Sequence, residues 1–103
     1  MSVPASTPEQ RAAALAKAAA SRKIRAEMKE LLKSGSLSLS DLFERAESED
    51  MIAGMKIASV LPSMPGMGKV KANRLMESIG IADTRRIRGL TERQRTALLE
   101  HFS

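Results

Sequence analysis

The chain contains no cysteine, no tryptophan and no tyrosine, and only two phenylalanines, Phe43 and Phe102. Without cysteine there is no disulfide scaffold and no thiolate zinc finger. His101 is the sole histidine, so neither an imidazole metal site nor a Cys–His nucleophile pair can be assembled. Scarce aromatics count against binding that stacks unpaired bases, which needs aromatic platforms. Both phenylalanines fall at apolar positions of predicted helices. No apolar run approaches the length of a membrane span. Met1–Thr7 has no basic segment leading into an apolar one, so no secretory signal is expected and the protein is read as cytoplasmic. β-branched residues are sparse and nothing alternates apolar with polar, so no strand is predicted. At 103 residues the chain fits one small domain with an appended helix.

What the chain does have is positive charge. Its net charge is +5 and its isoelectric point about 10.1. That points to an anionic partner, nucleic acid before an anionic membrane surface. Duplex binding through the phosphate backbone needs only Lys, Arg and backbone N–H groups, and suits this composition. The charge is segregated. Residues 9–33 carry seven basic and three acidic side chains; residues 36–54 carry one and five; residues 55–103 carry nine and four. An acidic segment thus separates two basic ones, and is expected to face away from an anionic partner or to pair with the basic helix.

Helical signals run the length of the chain. Thr7-Pro8-Glu9-Gln10 reads as an N-cap, a proline at the first helical position and a capping box. The Ala-rich run Ala12–Ala20 follows, then Ile24, Met28, Leu31 and Leu32 in one apolar stripe, stopped by Gly35. The second half of this helix should pack on the body. The first half, with Leu15 and alanines alone, has little to bury. Ser38 opens a short helix with Leu39, Leu42, Phe43 and Ala46 inward. Ser48-Glu49-Asp50 reads as another start, and short helices reach about Met64, interrupted by Pro62. A helix at about 69–78 presents Ala72, Leu75, Met76 and Ile79, with Gly80 as its stop. Thr84 is expected to cap a single turn ending at Gly89. Thr91 and Gln94 form a second capping box for a last helix carrying Leu98, Leu99 and Phe102. The seven methionines are read as core filler, except Met67, expected to be exposed between two glycines.

Three features are candidates for function. In Pro65-Gly66-Met67-Gly68-Lys69, glycines can adopt positive φ and aim successive N–H groups outward beside a helix start. With Lys69 and Lys71, that makes an anion pocket. A plain inter-helix turn is the competing reading. Nucleotide motifs do not fit: the glycine spacing is wrong for a P-loop and Val70 follows the lysine, while Lys71 stands where a dinucleotide fingerprint has its third glycine. The second feature is Arg85-Arg86-Ile87-Arg88-Gly89. Ile87 can anchor the turn while three guanidiniums fan outward, suited to phosphates and narrow minor grooves. Asp83 and Glu92 are too few to neutralise them together with Arg93 and Arg95. The third is the basic first helix, with Arg11, Lys17, Arg22, Lys23, Arg25, Lys29 and Lys33; of these Arg22, Lys23, Arg25 and Lys29 would make a second DNA surface. Glu27 and Glu30 offer local pairs, which favours an ordinary solvated face. His101 sits in a last helical turn, and Glu49-Asp50 reads as first-turn charge, so no catalytic constellation emerges.

Taken together, several stretches carry a family resemblance. They are Glu9-Gln-Arg-Ala-Ala-Ala-Leu, the Lys56 stretch before Leu61-Pro62, Gly68-Lys-Val-Lys-Ala, Thr84-Arg-Arg-Ile-Arg-Gly-Leu, and Arg93-Gln-Arg-Thr-Ala-Leu-Leu-Glu. Over nearly its whole length the chain resembles the actinobacterial integration host factors of the mycobacterial and streptomycete type. Its loop Met64–Gly68 is richer in glycine than that of some relatives. The resemblance implies an all-α fold, with a long N-terminal helix and a compact helix-two-turns-helix (S13-like) domain. It implies a non-enzymatic, nucleoid-associated protein that binds double-stranded DNA with little sequence specificity. Bending, compaction and effects on supercoiling and site-specific integration go with it. The implied contacts are Pro65, Gly66, Met67, Gly68, Lys69 and Lys71 at the inter-helix turn, and Arg85, Arg86 and Arg88 at a lid-like turn. Expected boundaries are a disordered 1–7, a helix at 8–34, and a DNA-binding domain at 36–103 with its core at about 56–103. No cofactor, metal, membrane or small-molecule substrate is expected, and the protein is expected to be monomeric. The competing class is an RNA-binding structural component of ribosomal-protein type, disfavoured by the lack of a basic tail after Phe102. A glycosylase-like enzyme lacks its catalytic residues.

Overall fold

The computed structural model describes residues 7–102. Helix α1, Pro8–Ser34, is made by its ends. The Thr7 hydroxyl accepts from the Gln10 N–H at 3.1 Å, and the Gln10 side chain accepts from the Thr7 N–H at 3.0 Å, completing the capping box. Gly35 stops the helix at φ 80°, where its N–H donates to the Leu32 carbonyl. At 1.5 Å per residue α1 is about 40 Å long, which explains a molecule 51 Å along its longest axis. From Thr7 to Ala20 every residue is exposed, and Leu15 is 68% exposed. Burial begins at Ser21 and Ile24, both half-buried, and is complete at Met28 and Leu32. The two halves of α1 therefore differ as their composition predicts. Of the stretch 1–7 expected to be disordered, residues 1–6 lie outside the described residues, and Thr7 is the N-cap.

The body is built from short pieces: α2, Leu39–Ala46; α3, Asp50–Ala53; α4, Ile57–Val60; and a 3-10 turn, Leu61–Ser63. Then come α5, Lys69–Ile79; a second 3-10 turn, Ile87–Gly89; and α6, Glu92–His101. None is long enough to be helical alone in water, so the shared core holds them. Leu32, Leu42, Ile52, Met55, Ile57, Val60, Leu61 and Leu98 are wholly excluded from solvent, and Ile87 nearly so. Each such aliphatic side chain contributes roughly 1.5–3 kcal/mol when fully buried. The second half of α1 packs on α3 and on the Leu61–Ser63 turn, α2 packs on α3, and the Ile87–Gly89 turn rests on α2 and α3. Among the described residues no membrane-length apolar helix occurs.

Local departures from expectation have physical causes. Ser48 is not the cap of α3: its hydroxyl donates to the Arg45 carbonyl at the end of α2, and Glu49 takes the N-cap position with no side-chain bond. Thr84 does not cap the arginine turn. Arg86 is extended instead, because it pairs with Lys56 as an isolated antiparallel bridge, and the 3-10 turn begins only at Ile87. The Ile57 N–H donates to the Arg85 carbonyl at 3.0 Å and the Ile87 N–H to the Met55 carbonyl at 2.9 Å. That pairing is long-range and leaves no period in the sequence. Met28, Met55, Met64 and Met76 fill the core, Met51 is half-buried, and Met1 lies outside the described residues. Met67 is not exposed as expected; it is half-buried against the core.

Candidate nucleic-acid interface

The loop before α5 is a type II turn. Pro65 takes its second position, Gly66 takes the third at φ 75°, and the Met67 N–H donates to the Met64 carbonyl at 3.0 Å. Proline pre-sets the first angle and glycine supplies the second at no steric cost. Tucking Met67 into the core then turns the chain into α5. Gly68 does not use positive φ: it is extended at φ −119°, ψ 178°, as the N-cap of α5. Its value lies elsewhere. Having no side chain, it offers no capping bond, so the N–H groups of the first turn of α5 keep their hydrogen-bonding capacity. A Cβ on Gly66 or Gly68 would meet nothing within 4 Å, so the backbone here is open to a ligand. Lys69 is exposed, and the Lys71 ammonium reaches back to the Gly66 carbonyl at 3.4 Å, over the turn. The helix dipole, the free N–H groups and the Lys71 ammonium meet at this turn, with Lys69 exposed in the first turn of α5, an arrangement suited to an oxyanion. Arg74, which sequence reasoning passed over, lines a groove with Met67 and Lys71 and extends this basic edge.

The arginine turn is more tied down than a fan of free side chains. Arg85 folds onto its own turn and donates to the Gly89 carbonyl at 3.1 Å. Arg86 donates to the Gly54 carbonyl at 2.6 Å, closing the C-terminus of α3. Arg88 lies across Gly54, where an added Cβ would sit 2.8 Å from its guanidinium. All three remain exposed, and a guanidinium has five N–H donors, so the internal bonds of Arg85 and Arg86 leave most of each free. The internal bonds fix where the charges point. Arg93 and Arg95 do not add to this cluster as sequence reasoning assumed. Arg93 donates to the Ile79 carbonyl at 3.2 Å, at the end of α5, and Arg95 lies over the Phe43 ring at 5.7 Å.

Of the first-helix residues, Arg25 is half-buried and meets Arg86 and Arg88 across a cleft of about 290 Å³. Arg22, Lys23 and Lys29 do not line it. The turn before α5 and the arginine turn line different clefts. Gly54 is the residue that sequence reasoning missed in the arginine turn. Its only sequence signal is a glycine after the four-residue run Asp50–Ala53, and its importance comes from a partner more than thirty residues away. Among the described residues no cluster of potential metal ligands occurs.

Residues 32–102 match the family model of the S13-like H2TH domain. The match starts within the last turn of α1, upstream of the core expected at about 56–103. The chain is 51% identical to the integration host factor of Mycobacterium tuberculosis over 102 residues, covering 99% of this chain and 97% of that protein. It is 47% identical to the integration host factor of Streptomyces coelicolor over 102 residues, with 99% and 95% covered. A solved structure of sIHF bound to an 8-bp palindromic DNA superposes with a TM-score of 0.81 at 42% identity, covering 84% of this chain and 98% of that one. By its S13-like domain and its full-length likeness to these proteins, the chain belongs to the actinobacterial integration host factor family.

Proposed function

We propose that this protein is a nucleoid-associated factor that grips the phosphate backbone of duplex DNA with little regard for sequence. It is a non-enzymatic protein. The observation that carries the reading is the open start of α5: uncapped N–H groups behind Gly68, with Lys69 and Lys71 beside them. Pro65, Gly66, Met67, Gly68, Lys69 and Lys71 form one contact. Pro65 and Gly66 shape its turn and Met67 anchors it. Arg85, Arg86 and Arg88 form the other. A relative of the same fold bound to DNA supports the choice of duplex over structured RNA. Arg22, Lys23 and Lys29 give α1 a further basic face for the same partner. The charged side chains assigned to DNA are Lys and Arg, with no Asn, Gln, Asp or Glu among them, which favours backbone contact. Bending and compaction, with effects on supercoiling and site-specific integration, complete the proposal and rest on family membership. Leu15 and Val70 are the only large apolar side chains exposed among the described residues, which supports a monomer.

The test is a salt titration of binding to duplexes of unrelated sequence, with a structured RNA as competitor. Affinity is expected to fall with a log–log slope of roughly −0.9 per phosphate contacted, to differ little between sequences, and to resist the RNA. Replacing Arg85, Arg86 and Arg88 together by Ala should retain helicity and reduce the slope by up to about 2.7, three contacts at roughly 0.9 each. Preferential RNA binding, or full DNA affinity in the triple variant, would sink the reading.

A further inference from the structure

The cleft between α1 and the arginine turn contains more than the residues assigned so far. On α1, Lys17, Ser21 and Arg25 are spaced i, i+4 and i+8, so they stand one above another on a single face. Opposite them are Arg86 and Arg88. Asp50 is the one carboxylate that lines the cleft, against four cations. The parts are held in place. The Arg25 guanidinium donates to the Ser21 hydroxyl at 3.3 Å, and Arg86 is pinned to the Gly54 carbonyl. Gly54 forms a bare floor: a Cβ there would sit 2.8 Å from the Arg88 guanidinium and 3.9 Å from that of Arg86. Four cations brought together by two segments far apart in sequence repel one another unless an anion joins them. From Lys17 to Arg25 the helix rises about 12 Å at 1.5 Å per residue. One strand of a duplex presents a phosphate about every 3.4 Å measured along the duplex axis, so a row of this length faces more than one phosphate and is longer than a single compact anion needs.

We propose that this cleft seats a run of consecutive phosphates of one DNA strand, with Lys17 and Ser21 as contacts alongside Arg25, Arg86 and Arg88. The inference rests on the duplex-binding reading above. It makes part of α1 and the arginine turn one continuous surface instead of two. Arg25 crosses from the helix set to the turn set. Asp50 then limits affinity, since it faces the same phosphates.

The experiment is the same salt titration on the full chain carrying Lys17→Gln, with Lys33→Gln as a control at the far end of α1. Both sites are exposed, and circular dichroism checks that both variants fold as the parent does. Lys17→Gln is expected to reduce the salt slope by about 1, and Lys33→Gln to leave it unchanged. Lys17→Gln combined with Arg88→Gln should cost less than the two single losses together, because both serve one strand. Asp50→Asn should tighten binding. Equal behaviour of Lys17→Gln and Lys33→Gln would overturn the proposal. So would a cleft that binds tripolyphosphate in a Lys17-dependent way while the DNA slope of Lys17→Gln stays that of the parent, since the site would then serve a free phosphate chain. If the triple arginine variant loses affinity while Lys17→Gln does not, only this inference fails. If the triple variant binds fully, the duplex-binding reading fails with it.

Discussion

At the scale of single residues, the two glycines before α5 have different tasks. Gly66 must be glycine because its φ of 75° strains any side chain, although nothing stands in the way of one. Gly68 has ordinary backbone angles, so its lack of a side chain has no conformational motive. It leaves the first N–H groups of α5 for an outside acceptor. Aspartate is a better N-cap than glycine by a few tenths of a kcal/mol. Gly68→Asp is therefore expected to keep or slightly raise the melting temperature while weakening duplex binding, since its carboxylate takes the N–H groups and repels phosphate. A melting curve and a binding isotherm on one variant check both halves. Undiminished affinity would show that the start of α5 does not touch DNA.

At the scale of elements, side chains bind one helix end to the next. Arg86 closes α3, while Arg93 and Gln94 hold the end of α5. Gln94 is the one polar side chain buried among the described residues, at 6% exposure. Its Oε1 accepts from the Thr91 N–H to complete the capping box, and its Nε2 donates to the Gly80 carbonyl at 3.1 Å. Gln94→Ala removes both, at an expected cost of about 1–2 kcal/mol. For a domain of this size that lowers the melting temperature by roughly 4–8 °C per kcal/mol. A shift under 2 °C would mean that the two bonds contribute little. The capping box was legible in the sequence, because Thr91 and Gln94 are three residues apart. The clasp on Gly80 was not, since a hydrogen bond across fourteen residues leaves no spacing rule to read. Arg86 makes the same point over thirty-two.

At the scale of the whole molecule, charge is sorted by segment. Asp41 and Glu44 on α2, with Glu47 and Glu49 just beyond it, are exposed, while the cations concentrate along α1, at the start of α5 and at the arginine turn. Charge segregated in this way steers a molecule as it approaches a polyanion. Glu44→Gln with Glu47→Gln should therefore raise affinity for duplex at low salt, and lose that advantage once the Debye length shrinks to about 8 Å near physiological ionic strength. The slope attributable to phosphate contacts should not change. An advantage that persists at high salt would place these carboxylates at the interface itself.

Local rules were sufficient for most of the architecture. Capping boxes at Thr7 and Thr91, glycine stops at Gly35 and Gly80, and apolar spacing in each helix are contacts over a turn or less, and the sequence by itself determined them. The same holds for the unequal halves of α1, because alanine has little surface to bury. Tertiary structure decided what those rules cannot reach. It drew Met67 half into the core, stretched Arg86 against Lys56, and turned Arg93 and Gln94 into clasps for α5. It also brought Arg25 to the arginine turn. Each of these depends on residues from distant segments meeting in one core, where packing and carbonyls at helix ends, not sequence spacing, choose the partner.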